Sequence, residues 1–359
     1  MKYNSRLGKF YSYFRKQLPP NYQARLTKLV FLFSGKPFVK KDELSFEKKF
    51  PNNERGGLIL SADFEMAWAF RYTKEVSEPV HFALEKAKQE RQNFNLLLPL
   101  FEKYDVPVTW ATVGHLFLSE CNKETHSWMR RIPYFENKFW EFRKGDWFDD
   151  DPNSNFNESP EWYAPDLIQM IKKSGVKHEI ATHTFSHIDF SEKNCPPEVA
   201  DDEIKACIEH MSESGFPNPK SICFPSGSYG NVAILKKYGI QIYRRKIKEF
   251  QLAYPNYDEV GLLVTLSSDA FDRSLSSWSA KDYQYKYKKA LNKAIKTGTV
   301  AHFMFHPSMD PWMITEVMDP VLKYAVQKRN EGKLWIGTMG EIADFINRSN
   351  NKDHKNINS

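Results

Sequence analysis

Between residues 57 and 348, short apolar runs alternate with longer stretches whose apolar positions recur three and four apart. The short runs predict strands at 57–63, 107–112, 179–183, 221–225, 239–243, 260–266, 299–306 and 334–338. The longer stretches predict helices at 80–104, 165–174, 197–214, 231–238, 281–297, 313–329 and 340–348. Strands that alternate with helices at this spacing favour a parallel sheet, and seven or eight such units favour a closed, distorted (β/α) barrel. Reactive groups in such barrels gather at the C-terminal ends of the strands. Asp63, His183, Pro225 and His306 all fall at such ends.

The rhythm breaks at 121–164, a stretch rich in Trp, Phe, Asp and Asn. A loop of this length inside a compact domain points to a lid or binding loop. Its rings would stack on sugar faces while neighbouring carboxylates and amides bind hydroxyls. The alternative is an irregular insertion that packs its own aromatics. The chain thus divides into an extension at 1–50, a barrel at 51–348 carrying this insertion, and a polar tail at 349–359.

Composition sharpens this picture. A 41% hydrophobic and 15% aromatic content supports a packed core and excludes a disordered chain. The net charge of +6 is uneven: residues 1–50 hold 12 Lys/Arg against 3 Asp/Glu, which leaves the remainder slightly acidic. A basic arm on an acidic body favours an anionic surface such as phospholipid or a sugar phosphate over nucleic acid. A merely solvated extension is the alternative. The apolar run 29–33 is too short for a signal core or a membrane span. Cys121, Cys195, Cys207 and Cys223 show no CxxC pairing, which suits reduced thiols better than disulfides or a zinc finger. A cytoplasmic setting follows, at the inner face of a membrane if the basic arm makes peripheral contact.

The chemistry concentrates in two segments. Asp63 and Glu65 close the first strand two residues apart, so both carboxylates face one side, the barrel mouth. One could bind a metal while the other takes a proton from metal-bound water. His183 and His187 would lie about 13 Å apart on an extended strand and could not share an ion. One helical turn through Thr184, Phe185 and Ser186 would bring both imidazoles to one side. His302 and His306 repeat the spacing inside a strand, so His302 reads as core and His306 as a proton donor or shuttle. Ordinary hydrogen-bonded histidines and ion-paired carboxylates are the alternatives. Arg71 and Tyr72 follow the carboxylates at the rim and could touch a sugar or its phosphate. Asp269 and Asp272 could orient His306 or cap a helix.

Asp63-Phe64-Glu65, the run Glu179-Ile-Ala-Thr-His183-Thr-Phe-Ser-His187, the loop Pro225-Ser-Gly-Ser-Tyr229-Gly and the late Phe305-His306-Pro307 together resemble the polysaccharide deacetylases of carbohydrate esterase family four. The resemblance spans roughly residues 57–310 and is similar to the subgroup with Asp-x-Asp/Glu. It implies a divalent ion, zinc with cobalt or nickel as alternatives, held by Glu65, His183 and His187. It further implies Asp63 as general base, His306 as general acid and the Tyr229 amide as an oxyanion donor. The arginine usual in the third motif is missing, with Cys223 and Ser226 in the plausible places, and Arg244 or Arg245 could replace it from the next strand. The implied reaction removes an N-acetyl group from a saccharide; the missing signal and the basic arm add the expectation of a nucleotide- or lipid-linked saccharide in surface polysaccharide or lipopolysaccharide assembly. An amidase on a non-sugar substrate, or a saccharide-binding protein that has lost turnover, would share the same barrel.

Overall fold

The computed structural model describes residues 50–357 apart from 133–134, 136, 141–144, 247–249 and 273–277, with scattered positions (17–19, 22, 25 and 38–39) before residue 50. The basic extension expected at 1–50 therefore lies, save for those positions, outside the described residues.

The chain alternates strand and helix as the apolar pattern requires. The strands are β1 (Gly56–Phe64), β2 (Thr109–Thr112), β3 (Glu179–Thr182), β4 (Ser221–Cys223), β5 (Ile242–Lys246), β6 (Leu263–Ser267), β7 (Val300–Phe305) and β8 (Leu334–Gly337). The helices are α1 (Pro79–Tyr104), α2 (Pro165–Lys173), α3 (Pro197–Glu213), α4 (Val232–Lys237), α5 (Ala280–Thr297), α6 (Asp319–Asn330) and α7 (Met339–Ile357). The ladder runs β7-β1-β2-β3-β4-β5-β6, all parallel. Beyond Ser268, Asp269 and Ala270 pair with Phe303 and Met304 of β7. One segment thus bonds β5 at its start and β7 at its end, which brings the sheet round into a barrel. β8 pairs with the N-terminal half of β1, while β2 takes the C-terminal half.

β1 is buried along its whole length, as a near-continuous apolar run in a parallel sheet should be. Its two faces do different work. Leu58, Leu60, Ala62 and Phe64 pack with the helices in the main core. Ile59 faces the barrel interior, in a layer with Ala111, Ala181, Cys223, Ile242 and Leu263. One step up, Ser61 bonds Arg244 and His302, and one further step brings Asp63. The period of two therefore lifts the interior from apolar to polar to charged along one strand. At its base Gly56 lies where a Cβ would fall 2.7 Å from the Ala294 backbone, so only glycine lets α5 approach this closely.

Three elements depart from expectation. The strand expected at 239–243 begins instead at Ile242, because Gly239 adopts φ +77° and closes α4 through its amide to the Lys236 carbonyl. The shift puts Arg244 on the strand, facing inward. The helix expected at 313–329 starts as a π-turn at Met313–Met318 and becomes α6 only at Asp319. Pro320 has no amide to continue an α-helical ladder there. α7 continues past residue 348 to Ile357, so the expected tail at 349–359 begins as helix.

Candidate active site

The two metal-ligand candidates on histidine meet Glu65 at the mouth of the barrel. His183 Nε2 lies 2.9 Å and His187 Nε2 3.1 Å from Glu65 Oε1. All three residues are buried. The three ligand atoms lie within 4.8 Å of one another. His183 Nδ1 is 2.6 Å from the Cys223 carbonyl, which can only accept, so Nδ1 carries the proton. The Nε2 lone pair of a neutral His183 then faces a carboxylate oxygen, an arrangement that calls for a cation between them. Two imidazoles and one carboxylate are the donor set that suits a catalytic zinc-like ion.

The local backbone is bent to make this cluster. The helical turn expected through Thr184–Ser186 does not form. Thr184 and His187 instead take φ of 61° and 60°, and Met66, after Glu65, takes 51°. A β-branched residue in that region is an outlier that only surrounding structure can hold. Two buried glutamates supply the hold. Glu203 of α3 accepts the amides of Phe185 (2.8 Å) and Ser186 (2.9 Å) and the Ser186 hydroxyl (2.5 Å). Glu90 of α1 accepts the amides of Glu65 (3.2 Å) and Met66 (3.3 Å). Burial pushes both carboxyls up, Glu90 well above its ordinary range with the Glu65 charge adding to the effect.

Asp63 stands beside the cluster and faces an arginine. Arg244 Nη2 donates to Asp63 Oδ2 at 2.6 Å, and Nη1 lies 2.6 Å from Oδ1 while donating to Ser61 Oγ at 2.8 Å. Burial favours the protonated acid, but the Arg244 guanidinium, by charge and by hydrogen bond, outweighs it and holds Asp63 below its ordinary carboxylate value. Burial acts likewise on Glu65, where the neighbouring His187 and His306 outweigh it and pull the carboxyl well below its ordinary value. His306 Nε2 sits 4.0 Å from Asp63 Oδ2 and 3.9 Å from Glu65 Oε2, with its side chain 39% exposed. It therefore stands beside both carboxylates and open to solvent. His302 is core, bonded to Ser61 Oγ and Thr265 Oγ1.

Asp63, Glu65, His187, Arg244 and His306 line a cleft of about 620 Å³, with Phe139, Trp140, Phe224, Ser226 and Gly227 among its walls. Other residues singled out from the sequence lie elsewhere. Arg71 is fully buried, its guanidinium 4.4 to 4.9 Å from the ring centres of Trp68, Tyr72 and Trp147. Tyr72 stacks on Trp147 and donates to its carbonyl at 3.1 Å. Both belong to packing beneath the rim, because the insertion covers them. The Tyr229 amide donates to the Gly227 carbonyl at 2.9 Å, a tight turn made possible by Gly227 at φ +73°, and its ring stands outside the cleft. Arg245 is exposed, over the Tyr229 ring. Asp269, by contrast, does line the cleft, where it pairs with Lys286. Within the insertion, Trp147 and Trp162 are buried as packing, and Trp147 donates to the Ser186 carbonyl. Phe139, 46% exposed, and Trp140, whose ring lies 5.3 Å from that of His187, face the cleft.

Arg244 was only one of two arginines in view, and Glu90 and Glu203 were missed. Each glutamate occupies the apolar face of its helix: Glu90 with Ala83, Ala87 and Phe94, Glu203 with Val199, Ala206 and Cys207. An acid at a position whose helical neighbours are apolar is the signal that would have found them.

Residues 85–243 match the family model described as polysaccharide deacetylase. The matched span contains His183, His187 and Glu203; the geometry joins Asp63, Glu65, Arg244 and His306 to it from outside. The fold is similar to that of a protein described as a polysaccharide deacetylase from Mycobacterium smegmatis, at 14% identity and TM-score 0.58, over 84% of this chain and 93% of that one. It is similar to another so described from Pseudomonas aeruginosa PAO1, at 14% identity and TM-score 0.57, over 83% and 93%. An allantoinase shares it at 13% identity and TM-score 0.56, over 82% and 91%. No curated protein matches the sequence. Among the described residues no helix is long and apolar enough to cross a membrane.

Proposed function

We propose that this chain is a member of the polysaccharide deacetylase family and a metal-dependent N-deacetylase of a saccharide. The observation that carries the proposal is the pairing of two carboxylates in different roles at one site. Glu65 converges with His183 and His187, while Asp63, two residues away, is held ionised by Arg244. Glu65, His183 and His187 would hold a divalent ion, of which zinc fits the donors best. When bound, that ion supplies polarisation of the acyl oxygen and a water of lowered pKa.

The chain's own residues supply the proton movements. Asp63 takes a proton from the attacking water as its oxygen bonds to the acyl carbon. His306, at the open side of the cleft, gives a proton to the amine nitrogen as the carbon–nitrogen bond breaks. Acetate and the free amino sugar leave. Arg244 keeps Asp63 in the form that can accept a proton, and this supports turnover over a lapsed, binding-only site. Phe139 and Trp140 offer apolar faces on which a sugar ring would stack.

The substrate reading is a nucleotide- or lipid-linked saccharide in surface polysaccharide assembly, with the basic residues of 1–50 meeting phosphate or a membrane. Four buried free cysteines support a reducing, cytoplasmic setting. The test is acetate release from a panel of N-acetylated nucleotide sugars and oligosaccharides, after chelation and return of zinc, cobalt or nickel. Metal-dependent release that His183→Ala/His187→Ala abolishes supports the deacetylase. A metal-loaded chain that releases no acetate from any member would overturn it and favour an amidase of another substrate.

A further inference from the structure

We infer that His115, Cys121, His126 and Asp151 form a second, structural metal site of the zinc class, which fastens the insertion to the barrel. This inference stands apart from the proposed activity. His115 lies in the short turn Gly114–Phe117 that leaves β2, Cys121 and His126 open the insertion, and Asp151 lies in its later half. All four are buried, at 5% exposure or less.

Their ligand atoms converge on one point. His115 Nε2 is 3.2 Å from His126 Nε2 and 3.2 Å from Asp151 Oδ2. Cys121 Sγ is 2.9 Å from His126 Nε2 and 3.2 Å from Asp151 Oδ2, and the His126–Asp151 separation is 3.4 Å. Four donors at bond lengths of about 2.0–2.3 Å around a tetrahedral zinc have edges of about 3.3–3.6 Å, so a small outward relaxation completes the shell. The other oxygen of Asp151 accepts from the Asn153 amide (3.1 Å) and the Tyr163 hydroxyl (3.4 Å), which aims Oδ2 inward.

Charge and surroundings agree. The cluster is walled by aromatic rings: Trp68 lies 4.3 Å from His115, and Phe148 stacks 4.7 Å from His126. A carboxylate in such a place is costly unless it is paired. On binding, the Cys121 thiol gives up one proton to solvent, and a divalent ion with one thiolate, one carboxylate and two neutral imidazoles is electrically neutral. The arrangement also suits what it would hold. The insertion has almost no regular structure among its described residues, and three of the four ligands come from it. Trp147, next to Phe148, donates to the Ser186 carbonyl beside His187, so the staple stands directly behind the wall of the cleft. Spacing alone conceals the site, because Asp151 is 25 residues from His126 and no CxxC occurs.

The test is metal content and cobalt spectroscopy of the full chain. Wild type should carry two equivalents per chain, of which chelation removes the open one quickly and the closed four-ligand one slowly. Cobalt-loaded wild type should show thiolate-to-cobalt charge-transfer absorption in the near ultraviolet. Cys121→Ser should lose that band and lower the thermal midpoint, and His183→Ala/His187→Ala should keep the band while losing one equivalent. The cobalt spectrum of wild type needs no variant to fold. No thiolate band, together with a metal content that His183→Ala/His187→Ala reduces to zero, would overturn the inference.

Discussion

Arg244 reaches across the barrel to Asp63, with Nη2 2.6 Å from Oδ2 and Nη1 2.6 Å from Oδ1, and both side chains are buried. The pair decides the protonation of the proposed base, because burial alone would favour the neutral acid and the guanidinium reverses it. A base works only when deprotonated, so activity falls as pH drops through its pKa. Removing the guanidinium lets burial raise that pKa, and the loss then begins at higher pH. Arg244→Gln should therefore shift the acid limb of kcat/KM upward and lower its plateau. An acid limb that stays in place, read from kcat/KM profiles of variant and wild type, would remove this role for Arg244.

The two carboxylates two residues apart should fail differently. Asp63→Asn should keep metal and lose on the order of 10²–10⁴ in kcat, the usual contribution of a positioned proton acceptor. Glu65→Gln should lose metal first, since its Oε1 is the atom both imidazoles share. Metal stoichiometry and single-turnover acetate release on the same two preparations separate the roles. Loss of metal from Asp63→Asn with retention in Glu65→Gln would reverse the assignment.

Glu203 never faces the cleft, yet it holds the bent segment between the two histidines by three hydrogen bonds. Without it, the amides of Phe185 and Ser186 are left buried and the left-handed Thr184 and His187 lose their support. Glu203→Ala should weaken metal affinity at this site by about 10–100-fold, in line with other groups that orient ligands, and Glu203→Gln by less. Competition with a chromophoric chelator measures this directly. Wild-type affinity in Glu203→Ala would show that the turn holds its shape unaided.

The barrel was legible because strand and helix periods are local properties. β1, β2 and β3 and the helices between them fall within a few residues of where the apolar pattern puts them. The Asp63–Glu65 pair and the two histidines were legible for a related reason, since both sit at strand ends that the fold must bring to one rim. What escaped depends on contacts distant in sequence. Arg244 points inward only because Gly239 ends α4 and delays β5. Arg71 and Tyr72 look like rim residues until the insertion is laid over them, and insertions of irregular backbone carry no period to read. The Thr184–Ser186 turn was misread for want of Glu203, whose acceptors replace those of a helix.

His178 offers a test of stability that is independent of any metal. Its Nδ1 accepts the Val108 amide at 3.1 Å, and its ring packs 6.0 Å from those of Phe101 and Trp110. Burial pushes its pKa down to about 4 from an ordinary 6.5. Between those values the unfolded chain binds the extra proton and the folded chain does not, so stability falls as pH falls through that window. The shift corresponds to roughly 2–3 kcal/mol once partial exposure is allowed for. In His178→Asn the amide oxygen can accept the Val108 amide without titrating. That variant should be less stable than wild type at pH 7, through lost ring packing, but should lose less on acidification to about pH 4. Urea unfolding across this range should give a shallower dependence on pH for the variant. Parallel curves would mean that His178 is protonated in the folded chain at no cost.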